Sequence, residues 1–132
     1  MNPKIIIASG PVIVENNKVL LAVQGEDNFW KFCGGRVKEG ETLKETAKRR
    51  AKEELGIEIE ITDEKPQLFH TTKESADGPI DVILVHYAAK RIGEIRPGSD
   101  IREWKWIVIE ELESENLAPN ILPTLMSFGL FA

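Results

Sequence analysis

The sequence has little of several features that define large protein classes. Its 132 residues include a single cysteine, Cys33, so an intrachain disulfide is excluded. A reducing, cytoplasmic compartment is therefore the expected setting. No apolar run approaches the length of a membrane span, and residues 5–8 form too short a run for the core of a signal peptide. We expect a cytoplasmic protein that makes no membrane contact.

Positive charge is also scarce relative to negative charge. Lys and Arg number 17 against 22 Asp and Glu, which gives a formal net charge of -5. Proteins that grip nucleic-acid polymers need a basic surface for the phosphates, so we expect no such partner. A small anionic ligand is still compatible with this charge, because a metal ion or backbone amides can hold it locally.

What is present indicates one globular domain, residues 1–132, with 42% hydrophobic residues. Periodicity predicts strands at 5–14, 19–23, 57–61, 67–72, 80–89 and 104–109, and short helices at 110–116 and 121–128. The first strand is expected to be interrupted near Gly10 and Pro11, and Asn16 and Asn17 should turn it into a hairpin with the second. Strands around one long helix predict an α/β or α+β domain with a mixed sheet.

The densest functional information lies in residues 34–57, where a glycine loop leads into a charged helix. Thr42 and Glu45 form the Thr-x-x-Glu pattern of a capping box, so the helix should start near Leu43. Gly56 supplies the left-handed residue that commonly ends a helix. At about 100° per residue, four apolar side chains form one stripe that faces a core: Leu43, Ala47, Ala51 and Leu55.

The polar face of this helix carries two adjacent carboxylates, Glu53 and Glu54, preceded by Arg49 and Arg50. Glu54 falls closest to the apolar stripe, and a carboxylate near a core needs a partner because an unpaired buried charge is costly. A hard divalent cation, which takes oxygen ligands, would neutralise both carboxylates. A neighbouring arginine would do the same. The residues themselves leave both alternatives open.

Residues 35–57 resemble the signature of the Nudix hydrolases. That signature reads Gly, five residues, Glu, seven residues, then Arg-Glu-aliphatic-x-Glu-Glu-x-Gly-aliphatic. The residues that match it at the same spacing are Gly35, Glu41, Arg49, Ala51, Glu53, Glu54, Gly56 and Ile57. The predicted strand order is also similar to that of the family over essentially the whole chain. The resemblance implies a single Nudix domain, an α/β/α sandwich with a mixed sheet.

The activity implied by this resemblance is metal-dependent hydrolysis of a nucleoside diphosphate linked to another group, such as a nucleoside triphosphate or ADP-ribose. The partner would be a small-molecule nucleotide and the enzyme one of the short MutT-like kind. Mg2+ or Mn2+ is the implied cofactor. Such an ion neutralises charge that develops on the pyrophosphate, positions the attacking water and lowers its pKa. Relatives also suggest a homodimer as one expected assembly.

Carried over position by position, the resemblance implies roles for individual residues. Glu53, Glu54 and the carbonyl of Gly34 would ligate the metal, and Asp100 is a candidate for a further ligand. Arg49 and Glu41 would form a salt bridge between loop and helix, which places Arg49 in the catalytic group with Glu53 and Glu54.

Asn120 is similar to a position where some relatives hydrogen-bond a nucleobase, which makes it a substrate-binding candidate. A plain N-cap of the last helix is the competing interpretation and the one that the residues favour.

Arg50 departs from the signature, which has glutamate at this position. In relatives that glutamate holds metal-bound water or acts as general base, so Arg50 is a catalytic and substrate-binding candidate. Three hypotheses follow. In the first, the general base comes from elsewhere, such as Asp100, Glu103 or the loop 73–78, and the enzyme is active. In the second, Arg50 turns outward or holds a substrate phosphate, and hydrolysis is slow. In the third, the site binds a ligand without hydrolysing it, and the protein is a catalytically impaired nucleotide-binding or regulatory module.

Overall fold

A mixed sheet lies at the centre of the structure, a computed structural model that describes residues 4–131. Its strands are β1 Lys4–Glu15, β2 Lys18–Gln24, β3 Gly35–Arg36, β4 Glu58–Ile61, β5 Gln67–Ser75, β6 Gly78–Ile92 and β7 Ile101–Val108. Strands β4, β6, β1, β2 and β7 are neighbours in that order, with β3 beside β1 and β5 beside β6. Because β1 and β6 run parallel while the other pairs are antiparallel, the sheet is mixed, as predicted.

Strands β1 and β2 form the predicted hairpin. Asn16 and Asn17 have φ values of 50° and 63°, the left-handed conformation that a tight two-residue turn requires. The predicted interruption of β1 near Gly10 and Pro11 was wrong, because β1 is continuous and pairs with β6 throughout that region. On its other side β1 pairs with β3 at residues 8–9 and with β2 at residues 14–15. Residues 10–13 thus have no ladder partner there in the described chain, and a proline without N–H is tolerated in such a gap.

Helix α1 spans Leu43–Leu55, as its caps predicted. Thr42 Oγ1 accepts a hydrogen bond from the backbone N–H of Glu45 at 3.1 Å, and the Glu45 carboxylate accepts one from the N–H of Thr42 at 2.8 Å. Gly56 ends the helix with φ of 68°. The capping box fixes where α1 begins relative to the glycine loop, and therefore where its polar residues lie.

The sheet has a hydrophobic core on each face, because successive strand residues point to opposite sides. On one face, Ile13 and Leu20 pack with the buried Ala47, Ala51 and Leu55 of α1. The opposite core contains alternate residues of the same strands and two short helices, a 3-10 helix at Ile109–Ser114 and α2 at Ile121–Ser127. The result is the α/β/α sandwich expected for the domain.

Some predicted elements differ in detail from the structure. The predicted helix 110–116 is a six-residue 3-10 helix whose buried residues, Ile109 and Leu112, are three positions apart, which matches three residues per turn. Strands β5 and β6 extend beyond their predicted ends to a turn at residues 76–77, since their polar ends are paired with each other.

Among the described residues, no helix has the length and apolar character needed to cross a membrane.

Candidate active site

A cleft of about 670 Å³ opens between the sheet and the glycine loop. One wall consists of alternate residues of β1, β5 and β6, which share a face of the sheet. The other wall combines residues 24–36, Arg50 of α1 and the segment before α2. The polar and charged side chains along the cleft are those of Ser9, Gln24, Asp27, Lys31, Arg36, Arg50, Thr71, Lys73, His86 and Asn120.

Arg49 ties the loop of residues 36–42 to α1. Its Nε donates to Glu41 Oε2 at 2.7 Å, and its Nη2 donates to Glu41 Oε1 at 3.0 Å and to the carbonyl of Arg36 at 2.9 Å. The hydrogen bonds from Arg49 and Thr46 lower the pKa of Glu41 to about 2. The salt bridge implied by the family resemblance is therefore present. It holds strand β3, one wall of the cleft, against the helix.

Arg50 lies inward, between the glycine loop and the two carboxylates. Its Nη1 donates to Glu53 Oε1 at 2.7 Å, and its Nη2 pairs with Glu54 Oε2. Its Nε lies 3.4 Å from the carbonyl oxygen of Gly34, a long contact. The hypothesis that Arg50 turns outward was therefore wrong for this structure. The guanidinium contacts the same three groups that the resemblance implies as metal ligands.

The two carboxylates differ in burial. Glu54 is 3% exposed, and burial raises its pKa although the Arg50 guanidinium opposes that rise. The Glu53 side chain is 43% exposed, and hydrogen bonding to Arg50 lowers its pKa. Burial opposes the charge on Arg50, but the two carboxylates raise its pKa overall. Arg50 thus supplies the partner that the buried position of Glu54 requires.

The structure does not bring Asp100 to these carboxylates. Asp100 Oδ2 accepts a hydrogen bond from the Gln24 side chain at 2.9 Å, and the Asp100 carbonyl accepts from the N–H of Gly25 at 2.8 Å. Within residues 4–131, no three side chains of His, Cys, Asp and Glu converge closely enough to hold a metal. Asp100 is therefore placed by loop contacts.

Asn120 is 4% exposed and lines the cleft. It stands at the N-cap position of α2, but its side chain makes no capping hydrogen bond. The predicted N-cap position is therefore confirmed, but the side-chain hydrogen bond of a cap is missing, so Asn120 remains available as a residue of the cleft.

His86 is a cleft residue that no motif in the sequence singles out. It is 5% exposed, its Nδ1 has no hydrogen-bond partner in the described structure, and its ring lies 4.8 Å from that of Phe32. Burial lowers the pKa of His86 to about 4, so the ring is neutral near pH 7. The alternation of residues along β6 could have predicted this position, because alternate residues of a strand share one face and His86 lines the cleft together with Val82 and Leu84.

A profile of known families described as NUDIX domain matches residues 6–128 of the chain. The chain belongs to the Nudix family. This establishes its class as a Nudix hydrolase, an enzyme of the pyrophosphohydrolase kind, as the signature implied. Nudix hydrolases act on small-molecule nucleotides and generally use divalent metals.

Relatives and solved structures agree with this membership. The chain is 30% identical to the nucleoside triphosphatase NudI of Enterobacter sp. (strain 638), over 91% of this chain and 94% of that protein. It is 28% identical, with the same coverage, to NudI of Escherichia coli (strain SE11). The solution structure of the E. coli ORF135 protein superposes with a TM-score of 0.72 at 26% identity, covering 96% of this chain and 90% of that one.

A hydrolase of the Nudix family from Clostridium perfringens superposes with a TM-score of 0.73 at 21% identity, covering 98% of this chain and 97% of that one. The sandwich fold of this Nudix domain is therefore shared along nearly its whole length.

Proposed function

We propose that this Nudix protein hydrolyses the pyrophosphate linkage of a nucleoside triphosphate, or of a related nucleoside diphosphate derivative, bound in the cleft. The observation that carries this proposal is the charge of the cleft. Four cationic side chains, those of Lys31, Arg36, Arg50 and Lys73, line one cleft of a protein whose net charge is -5. Polyphosphate is the small ligand that such a cluster favours. The similarity to a nucleoside triphosphatase supports a triphosphate as substrate.

The rest of the cleft suits a nucleobase. Phe29, Phe32 and Leu84 provide apolar surface, and Asn120 and His86 provide buried polar atoms beside it. An amide and a neutral imidazole both carry donors and acceptors that suit the polar edge of a base. A cleft with an apolar surface and a few placed polar groups is the usual form of a small-molecule site. We therefore assign base recognition to this part of the cleft.

The oxygens near Arg50 fit a divalent cation in their chemistry. Hard cations take carboxylate and carbonyl oxygens, and those of Glu53, Glu54 and Gly34 already surround the Arg50 guanidinium, while Glu53 Oε1 also accepts a hydrogen bond from Arg49 Nη1 at 2.9 Å. We propose that these three residues hold Mg2+ or Mn2+, whereas Asp100 would first have to leave Gln24. When bound, the ion supplies charge neutralisation and an activated water. Arg49 keeps the loop in place beside these oxygens.

The proton acceptor must lie elsewhere than position 50, because arginine stays charged and cannot act as a base. Among the described residues that line the cleft, Asp27 is the one carboxylate, and it lies 3.5 Å from Lys31 Nζ. Of the sources suggested by sequence, neither Asp100 nor Glu103 lines the cleft, and the segment 73–78 contributes Lys73, which is not an acid. We propose Asp27 as the general base.

Turnover of a substrate panel tests the activity. Nucleoside triphosphates, ADP-ribose and dinucleoside polyphosphates should be assayed with Mg2+ and then Mn2+, and we expect hydrolysis that chelation abolishes. Asp27→Asn should lower kcat strongly, whereas Asp77→Asn, in the exposed turn between β5 and β6, should not. Equal rates for the two variants would remove Asp27 from the mechanism.

A second candidate function is a nucleotide-binding or regulatory module without turnover. Arg50 at the signature glutamate position favours it, because that position no longer offers a carboxylate. Nucleotide binding by calorimetry with no hydrolysis of any panel member would support this alternative.

A cytoplasmic setting and a homodimer remain parts of the proposal. Light scattering of the purified protein tests whether it is a dimer.

A further inference from the structure

Arg50 separates the carboxylates of α1 from the cleft. Its side chain lines the cleft, whereas Glu53 and Glu54 are not among the lining residues. Two of its nitrogens contact the two carboxylates, and the third faces the Gly34 carbonyl. A ligand that approaches from the cleft therefore meets the guanidinium before it meets either carboxylate.

The glycine loop leaves space for this arrangement. A Cβ at Gly35 would lie 3.0 Å or less from Nε, Cδ and Cζ of Arg50, so any larger residue there would displace the guanidinium. The Arg50 side chain is only 21% exposed. The inward position of the guanidinium thus depends on the missing side chain at Gly35 and on the two charged partners on the helix, Glu53 and Glu54.

The same oxygens cannot serve the guanidinium and a divalent ion together. A divalent ion takes carboxylate oxygens at about 2.0–2.6 Å, so it would occupy the space of the guanidinium nitrogens. The two cations would also repel each other at such a separation. One of them must leave before the other can bind.

We propose that Arg50 is an internal competitor for the divalent ion, so that guanidinium and metal are alternative occupants of the oxygen cluster of Gly34, Glu53 and Glu54. This inference rests on the proposed function in taking these oxygens as the ion ligands and the cleft as the polyphosphate site. It assigns Arg50 a second partner, because a guanidinium that leaves the carboxylates still lines the cleft, where the proposed function has the phosphate oxygens of the substrate. By linkage, a polyphosphate that takes up Arg50 strengthens ion binding, and the ion strengthens polyphosphate binding.

Direct titration with Mn2+, without nucleotide, tests the competition. Mn2+ affinity is measured by calorimetry and by the loss of its free-ion electron resonance signal. Arg50→Gln should bind Mn2+ at least about tenfold more tightly than the wild type, because it removes two charge-assisted hydrogen bonds from the carboxylates. Arg50→Lys keeps the positive charge and should remain a weak binder.

Lys48→Gln is the matched control. It removes the same charge from the same helix at an exposed position, so it reports the long-range effect of charge alone. We expect it to change Mn2+ affinity less than about threefold, the range of a screened surface charge. A Lys48→Gln effect as large as that of Arg50→Gln would overturn the proposal.

A second measurement locates the ion and guards against misfolding. Adding Glu54→Gln to Arg50→Gln should abolish the gain in Mn2+ affinity. Because a ligand stabilises the state that binds it, Mn2+ should raise the Tm of Arg50→Gln more than that of the wild type. Equal Mn2+ affinity of the wild type and Arg50→Gln, or a gain that survives Glu54→Gln, would refute the inference.

These results are independent of turnover. The expected Mn2+ affinities combined with no hydrolysis of any nucleotide would contradict the proposed function alone. Metal-stimulated hydrolysis by the wild type, combined with ion binding that Arg50→Gln leaves unchanged, would contradict the inference alone.

Discussion

Replacing His86 by phenylalanine should reduce the loss of unfolding free energy that accompanies acidification. His86 is buried beside Phe32 and its Nδ1 has no partner in the described structure. Burial lowers its pKa from 6.5 to about 4, so the unfolded chain binds a proton at this residue more readily than the folded chain does. The stabilisation from the neutral ring is therefore present above pH 6.5 and is lost as the pH falls towards 4.

The size of this effect follows from the difference between the two pKa values. A tenfold difference in proton affinity between the folded and unfolded chains corresponds to about 1.4 kcal/mol, so the full contribution is about 3 kcal/mol. About 2 kcal/mol of this should be lost between pH 7 and pH 5, before most carboxylates titrate. The free energy of unfolding in urea, measured at half-unit pH intervals over this range, gives the slope directly.

The comparison between variants isolates the histidine. His86→Phe keeps a planar ring against Phe32 and should lose most of the slope between pH 7 and pH 5, whatever its stability at pH 7. His70→Gln, which replaces the exposed histidine beside Asp81, is the matched control and should retain the slope. If His86→Phe and the wild type lose stability in parallel on acidification, the burial argument for His86 is wrong.

Three further changes test other parts of the structure. Thr42→Ala removes the acceptor for the N–H of Glu45 and should lower the free energy of unfolding by about 1 kcal/mol in urea titrations; no loss would contradict the capping box. Gly10→Ala places a Cβ against the backbone carbonyl of Cys33, which cannot yield as a side chain can, so we expect a loss of several degrees in Tm or failure to fold. Arg36→Gln removes a charge from the cleft and should raise KM for a triphosphate with little change in kcat. An unchanged KM at low salt would argue against phosphate binding by Arg36.

Local rules account for the elements that the sequence predicted well. Helix α1 has the predicted ends because each cap, Thr42 at the start and Gly56 at the end, acts on backbone groups only a few residues away from it. The hairpin at Asn16 and Asn17 has the same origin, since both residues adopt the left-handed conformation readily. The interruption predicted at Pro11 was wrong because a missing N–H matters only where a neighbouring strand needs it. That depends on which strands flank β1.

The spacing within residues 35–57 determined the family and the positions of the charged residues along one helix. Tertiary structure decided what those charges do. Sequence left a metal ion and an arginine as alternative partners for Glu54, and the fold placed Arg50 against it because Gly35 leaves room for the guanidinium. It also paired Asp100 with Gln24 and brought His86 and Asn120 together in one cleft. Local spacing fixes neighbours on a helix, whereas contacts between distant segments depend on how the strands are ordered in the sheet.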